Sequence, residues 1–277
     1  MKLFIPDQSE QTSALVRTTH LGVGAHQDDL EFMALHGILE CFQRADKWFG
    51  AVTCTDGAGS ARTGAYADFT DEQMQAVRVT EQETAASIGQ YAFMAQLGYP
   101  SSAVKTPAPR AALVRELRDL FATARPEVVY THNAFDKHPT HLGVMLAVLE
   151  AIRELPVSER PARIYGCEVW RGLDWLPDDI KVLQDVSGHP NLAAALNGVF
   201  DSQIAGGKRY DLAVEGRRTA NATFLDAHSI DDANRIQYAL DMTPLIAGDA
   251  PLALDAFMRD ILERSDTLMM DAIATLS

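Results

Sequence analysis

His20-Leu21-Gly22-Val23-Gly24-Ala25-His26-Gln27-Asp28-Asp29 is the stretch on which the fold turns. Five small or apolar residues, Leu21 to Ala25, run straight into a polar turn, and an amphipathic segment at about 30–44 follows. A buried strand that feeds a helix is the natural reading of that change of texture. The same alternation recurs downstream. Apolar runs at about 48–54 (WFGAVTC), 91–97, 127–131 (EVVYT) and 163–169 (RIYGCEV) are separated by helical patterns at about 71–88, 109–124 and 139–154. A regular strand-helix order implies parallel strands joined by right-handed crossovers, with helices on both faces. The expected fold class is therefore α/β, a Rossmann-like three-layer arrangement with a mostly parallel sheet of order 3-2-1-4-5. In that order the connections diverge between strands 1 and 4, and ligands bind beyond the carboxyl ends of those two strands. The loops after strands 1 and 4 are where chemistry is expected.

Beyond residue 170 the pattern loosens. The stretch 170–190 reads as loops with one further strand, 190–205 reads as helical, and the tail from about 251 reads as an amphipathic helix. One domain over 1–277 is expected, with a core at about 18–225 and a helical C-terminal extension at 226–277. The plain use of the last helix is to pack on its own domain, and contact with a second copy in a homo-oligomer is the alternative.

Bulk properties narrow the function. The net charge of -14 opposes nucleic acid and anionic membrane surfaces as partners, although a few local arginines could serve one anionic group on a small substrate. Cys41, Cys54 and Cys167 form no C-x-x-C pair, so neither a disulfide framework nor a thiolate metal site is expected. Residues 1–10 lack the apolar core of a secretory signal, and no run approaches the ~18 apolar residues of a membrane span. The cytoplasm is the expected location.

The two loops singled out by the sheet hold four of the eight histidines. The first contains His26, Asp28 and Asp29, and the second contains His132, Asp136, His138 and His141. A catalytic zinc site takes three nitrogen or oxygen ligands and leaves a position for water. One imidazole and one carboxylate from the first loop, with one imidazole from the second, would meet that need. Adjacent Asp28 and Asp29 cannot point the same way, so one would bind metal while the other serves as base to a nearby water. His138 can donate where charge develops. Taken singly, each loop also has a plain reading: an aspartate pair can simply cap a helix, and H-P-x-H can simply start one.

These residues resemble the PIG-L/LmbE-like family of zinc de-N-acetylases, whose motifs read A-H-P-D-D-E and H-P-D-H. Thr55-Asp56-Gly57, Arg78-x-x-Glu81, Asp185-Val186-Ser187 and Ser202-Gln203 extend the likeness over roughly 18–225. The resemblance implies a metal held by His26, Asp29 and His141, with Asp28 as base and His138 as acid or oxyanion stabiliser. It implies Zn2+, or another divalent ion, as cofactor. The implied substrate is a small N-acetylated amino-sugar conjugate, such as one of N-acetylglucosamine, cut at its amide. Three departures stand out: Gln27 for proline, Leu30 for glutamate with Glu31 one place later, and Thr140 for aspartate, for which Asp136 could substitute. Arg62, Arg78 and Asp136 are the candidates to touch substrate, while an Arg78–Glu81 pair along one helix is the plain alternative. Two rival functions stand beside this one. Gly22-x-Gly24 could begin a nucleotide-binding turn, and a non-catalytic relative could keep zinc and bind carbohydrate.

Overall fold

The computed structural model describes residues 1–276. Its strands are β1 (Lys2–Phe4), β2 (His20–Gly24), β3 (Phe49–Thr55), β4 (Phe93–Tyr99), β5 (Val128–His132), β6 (Arg163–Cys167), β7 (Lys181–Asp185) and β8 (Ile236–Asp241). They form one sheet of order β1-β4-β3-β2-β5-β6-β8-β7. The five strands from β4 to β6 are parallel and stand in the order expected from the sequence. The whole sheet departs from that expectation. β1 pairs antiparallel with β4 at one edge, and β8 and β7 extend the other edge antiparallel. The segment 226–277, expected to be helical, thus first supplies strand β8 and only then the helix Leu254–Ala274.

The parallel strands have few polar faces because helices cover both sides. β2 and β3 are buried at every residue. One core layer gathers Val23, Val52, Val129 and Ile164 against the helices Pro107–Ala124 and Pro139–Arg153. The other packs Leu30, Phe49, Tyr130 and Phe200 on the opposite face. Gly22 and Gly24 are explained by this packing. A Cβ on Gly22 would lie 2.8 Å from the Phe49 ring, and one on Gly24 would lie 3.1 Å from Asp29 Cβ. Both glycines sit inside β2 and not in the following turn, so they do not build a phosphate-binding loop.

The helix read at 30–44 is two helices, Asp29–Met33 and Leu35–Cys41, broken at Ala34. The Gln237 side chain enters the break. It accepts from the His36 amide at 3.2 Å and donates to the Phe32 carbonyl, so it replaces one turn of the helical ladder. Arg218 donates to the Glu31 and Phe32 carbonyls at 2.7 and 3.1 Å. Residues some two hundred positions away therefore end the helix that follows the first loop. The last helix buries Phe257, Ile261 and Ser265, and its residues from 266 onward are exposed. Among the described residues, no helix is long and apolar enough to cross a membrane.

Candidate functional site

The loop after β2 closes on itself. The His26 amide donates to Asp29 Oδ2 at 2.6 Å, and the Asp29 amide donates back to the His26 carbonyl at 3.3 Å. This tight turn forces Asp28 into left-handed backbone with φ 95°, a conformation a non-glycine residue adopts at a cost of about 1–3 kcal/mol. Its neighbours hold it there. Gln82 accepts the Asp28 amide at 3.1 Å and donates to Glu31 at 2.9 Å, while Arg78 reaches Asp28 Oδ2 at 3.3 Å and the Gln27 carbonyl. The result separates the two aspartates, as their adjacency requires.

The loop after β5 brings the remaining imidazoles. Pro139 opens the helix Pro139–Arg153, and His141 lies in its first turn. Asp136 organises this loop. One carboxylate oxygen accepts the His138 amide at 2.9 Å, and the other lies 3.1 Å from His141 Nδ1. With the His141 proton on Nδ1, where Asp136 accepts it, Nε2 presents a lone pair to the first loop. Asp136 is buried behind His141 and does not line the cavity, so its place is that of a support and not of a substrate contact.

Across the two loops, His26 Nδ1 and His141 Nε2 are 3.2 Å apart. Asp29 lies 3.3 Å from the former and 3.5 Å from the latter. A tetrahedral zinc with nitrogen and oxygen ligands at 2.0–2.1 Å spaces those ligands by ~3.3 Å. These three side chains could hold such an ion. His138 also brings a ring nitrogen within 4.8 Å of those of His26 and His141. His132 lies beneath the group. Its Nε2 accepts the Ala25 amide at 2.9 Å and stands 3.4 Å from Asp29, and its ring stacks on His141 at 3.9 Å.

The local charges follow from this packing. Burial alone would raise Asp29, but His141 and His132 hold it well below the usual carboxylate range. Burial pushes Asp28 up to about 6, against the lowering charge of Arg78, and neighbouring Asp29 adds to the rise. Burial and the charge of His141 push His138 down to about 4. Burial opposes protonation of His141, yet Asp29 and Asp136 together raise it.

A cavity of about 390 Å³ opens over this group. His26, Asp28, Asp29, Arg78 and His138 line one side of it. Arg78 therefore stays at the site, bound to Asp28 rather than to Glu81. Glu81 instead takes the amide and hydroxyl of Ser202, both at 2.7 Å, and so docks the Ser202-Gln203 motif with Gln203 in the wall. Arg62 is not brought in. It pairs with Asp71 and binds the Ala58 and Phe69 carbonyls, folding its own loop, while Gly59, Ser60 and Ala61 form that part of the wall. Asp185 and Ser187 lie elsewhere, where Ser187 takes the amides of Asn234 and Arg235 and joins β7 to β8.

Of the rest of the wall, only Trp170 stands out in the sequence, as an aromatic after the fifth strand that could stack on a sugar ring or pack in the core. Trp170, which stacks on His138 at 6.0 Å, stands beside Lys208 and Tyr210. Ala213, Val214, Arg217 and Asn221 continue from Tyr210 along one face of the helix Tyr210–Thr223. The sequence carried one signal for this helix face, because residues 210, 213, 214, 217 and 221 recur at helical spacing.

Residues 21–152 match the model of the PIG-L family, described as GlcNAc-PI de-N-acetylase. No curated protein matches the chain. Several solved structures share its fold. The N,N'-diacetylchitobiose deacetylase of Pyrococcus horikoshii aligns with a TM-score of 0.63 at 14% identity, over 85% of this chain and 88% of that one. The 4-carboxy-2-hydroxymuconate hydratase of Pseudomonas putida aligns with a TM-score of 0.63 at 18% identity, over 85% and 100%. A conserved protein of Thermus thermophilus aligns with a TM-score of 0.62 at 19% identity, over 85% and 96%.

Proposed function

We propose, from the match of residues 21–152 to the PIG-L family model, that the chain hydrolyses the amide of a small N-acylated amino compound, most simply an N-acetyl amino sugar, with a divalent cation, most simply zinc, held by His26, Asp29 and His141. The observation that carries this reading is the meeting of three donors at 3.2–3.5 Å from loops 115 residues apart, beside the Asp28 carboxylate that Arg78 holds. The shared fold also carries a hydratase, so fold does not choose the reaction. The family match and the composition of the site favour amide hydrolysis.

A cation bound by these residues would supply Lewis acidity and bring the pKa of water to about 7. The chain's own groups then divide the labour. Asp28 stands outside the proposed ligand set with its carboxylate anchored by Arg78, so it is placed to accept a proton from attacking water. Its strained backbone keeps that carboxylate apart from Asp29. His138, half-buried at the cavity wall, donates toward the carbonyl oxygen or the departing amine. Asp136 keeps His141 turned toward the first loop. Trp170 and Tyr210 offer flat apolar faces to a ring beyond the amide.

The test is acetate release from a panel of N-acetylglucosamine conjugates, with the chain first stripped by chelator and then reloaded with Zn2+. Release that disappears on stripping and returns on loading is the expected result. Release by the stripped chain at the full rate, or none from any acetamide, would overturn the proposal.

A further inference from the structure

Two residues just after the first loop take no part in the chemistry above. Leu30 stands where A-H-P-D-D-E has its glutamate, and Glu31 follows one place later. Leu30 turns into the core, where a Cβ on Gly22 would lie 2.9 Å from its Cδ2. Glu31 turns instead to the helix Asp71–Ile88. It is fully buried and stands outside the cavity wall. One of its oxygens accepts from Gln82 Nε2 at 2.9 Å and from the Tyr91 hydroxyl at 2.8 Å, and the other meets no donor. Burying a carboxylate is costly, so the use of Glu31 lies in those two bonds.

Gln82 passes the contact on. Its Oε1 accepts the Asp28 amide at 3.1 Å while its Nε2 donates to Glu31. These partners decide which way the side-chain amide points, because only its oxygen accepts an N–H and only its NH2 donates to a carboxylate. Arg78 lies one helical turn earlier and donates to Asp28 Oδ2 at 3.3 Å and to the Gln27 carbonyl. The same helix therefore holds Asp28 twice, by its carboxylate through Arg78 and by its backbone through Gln82. The backbone needs the hold, since Asp28 has φ 95°. Arg78 lines the cavity, whereas Gln82, Glu31 and Tyr91 do not, and each of these three is at most 1% exposed. They are out of reach of a substrate, and whatever they do for the reaction passes through Asp28. We infer that Gln82 is a positioning residue: oriented by Glu31 and Tyr91, it fixes the left-handed backbone of Asp28 and so aims the carboxylate at the attacking water. The backbone part of this assignment rests on the hydrogen bonds alone, and the part played by water rests on the hydrolase reading.

Gln82→Met in the full chain tests it in two ways. In metal-stripped protein, hydrogen–deuterium exchange of the segment 26–33 should quicken about tenfold or more, while the strand Arg163–Cys167 exchanges as before. In Zn2+-loaded protein, acetate release from the N-acetylglucosamine conjugate that the wild-type chain cleaves fastest should lose about 10–100-fold in kcat. KM and bound Zn2+ should stay as they were, because Gln82 meets neither substrate nor ion. Gln82→Asn, one methylene too short to span Asp28 and Glu31, should repeat both effects and serves if the Met variant does not fold. Glu31→Leu should cost kcat to the same extent, and the double variant with Gln82→Met should cost no more than either change alone, since both act along one chain of bonds. Glu31→Gln, which keeps an acceptor for Gln82 and Tyr91, should restore most of the rate lost in Glu31→Leu. A side chain that merely filled the core would lower the melting temperature and leave kcat per folded molecule unchanged. Unchanged exchange at 26–33, unchanged kcat, or losses that multiply in the double variant would each overturn the inference. A wild-type chain that releases no acetate sinks the hydrolase reading and with it the aiming of Asp28 at water, while the exchange measurement still decides whether Gln82 fixes the loop.

Discussion

The two walls of the cavity are built on different plans. The wall from β2 and β5 is made of short turns in which residues two to five positions apart bind one another: His26 with Asp29, and Asp136 with His138 and His141. The wall from the helix Tyr210–Thr223 and β8 is made of contacts between residues up to some two hundred positions apart. Arg218 reaches Glu31, Gln237 reaches Phe32, and Asn221 reaches Glu168. The first plan suits chemistry, which needs a few groups held rigidly by strand ends. The second suits selectivity, because a helix face can change residue by residue without disturbing the turns opposite.

The sharpest break of this contrast is expected at Asp28. Asp28→Asn should keep its metal and its fold and lose about 10²–10⁴-fold in acetate release. Metal analysis beside the rate assay checks it, and undiminished turnover would remove Asp28 from the role of base. Next comes support of the ligands. Asp136→Asn removes the charge behind His141 and leaves one acceptor oxygen for the two groups Asp136 serves, the His138 amide and His141 Nδ1, so it should weaken metal affinity about 10–100-fold with little change in melting temperature. Competition with a chromophoric chelator measures that loss, and an unchanged affinity would show that His141 needs no such partner.

A third prediction concerns the end of β2 remote from the site. Burial first, and then the charge of Lys47, push His20 from 6.5 down to about 4. Between those values the unfolded chain holds a proton that the folded chain refuses. Stability from this group is therefore complete above pH 6.5 and declines as pH falls toward 4, by roughly 3 kcal/mol over the window. Denaturant melts of the chain and of His20→Gln across that range should converge toward acid pH, and parallel curves would contradict it. The smallest effect is expected at the far tail. Nothing described beyond Ser265 is buried, so cutting the chain after Ser265 should move the melting temperature by about 1–2 °C or less, read by calorimetry. A larger drop in concentrated samples alone would point to a second copy covering Leu268, Met269 and Ile273.

The same contrast explains what could be read without a structure. The five parallel strands announced themselves because strands covered on both faces are continuous apolar runs, and their order then located two loops. The donors in those loops are close in sequence, so the turns that aim them were visible as spacing. β8 was not visible, since Ile236–Asp241 follows an acidic loop and its partners, β6 and β7, lie some fifty to seventy residues upstream. The break at Ala34 depends on Gln237, and the place of Arg218 depends on that break, so neither has a local signature. Arg62 and Asp136 were expected near substrate on proximity alone. Asp71 and His141 take them first.

Equilibrium dialysis of the full chain against Zn2+, with metal analysis of the protein, tests the central claim most directly. One ion per chain should be retained, and His26→Ala or His141→Ala should each weaken retention about a hundredfold or more. Undiminished binding in either variant would contradict the claim that the loops after β2 and β5 close on a single cation.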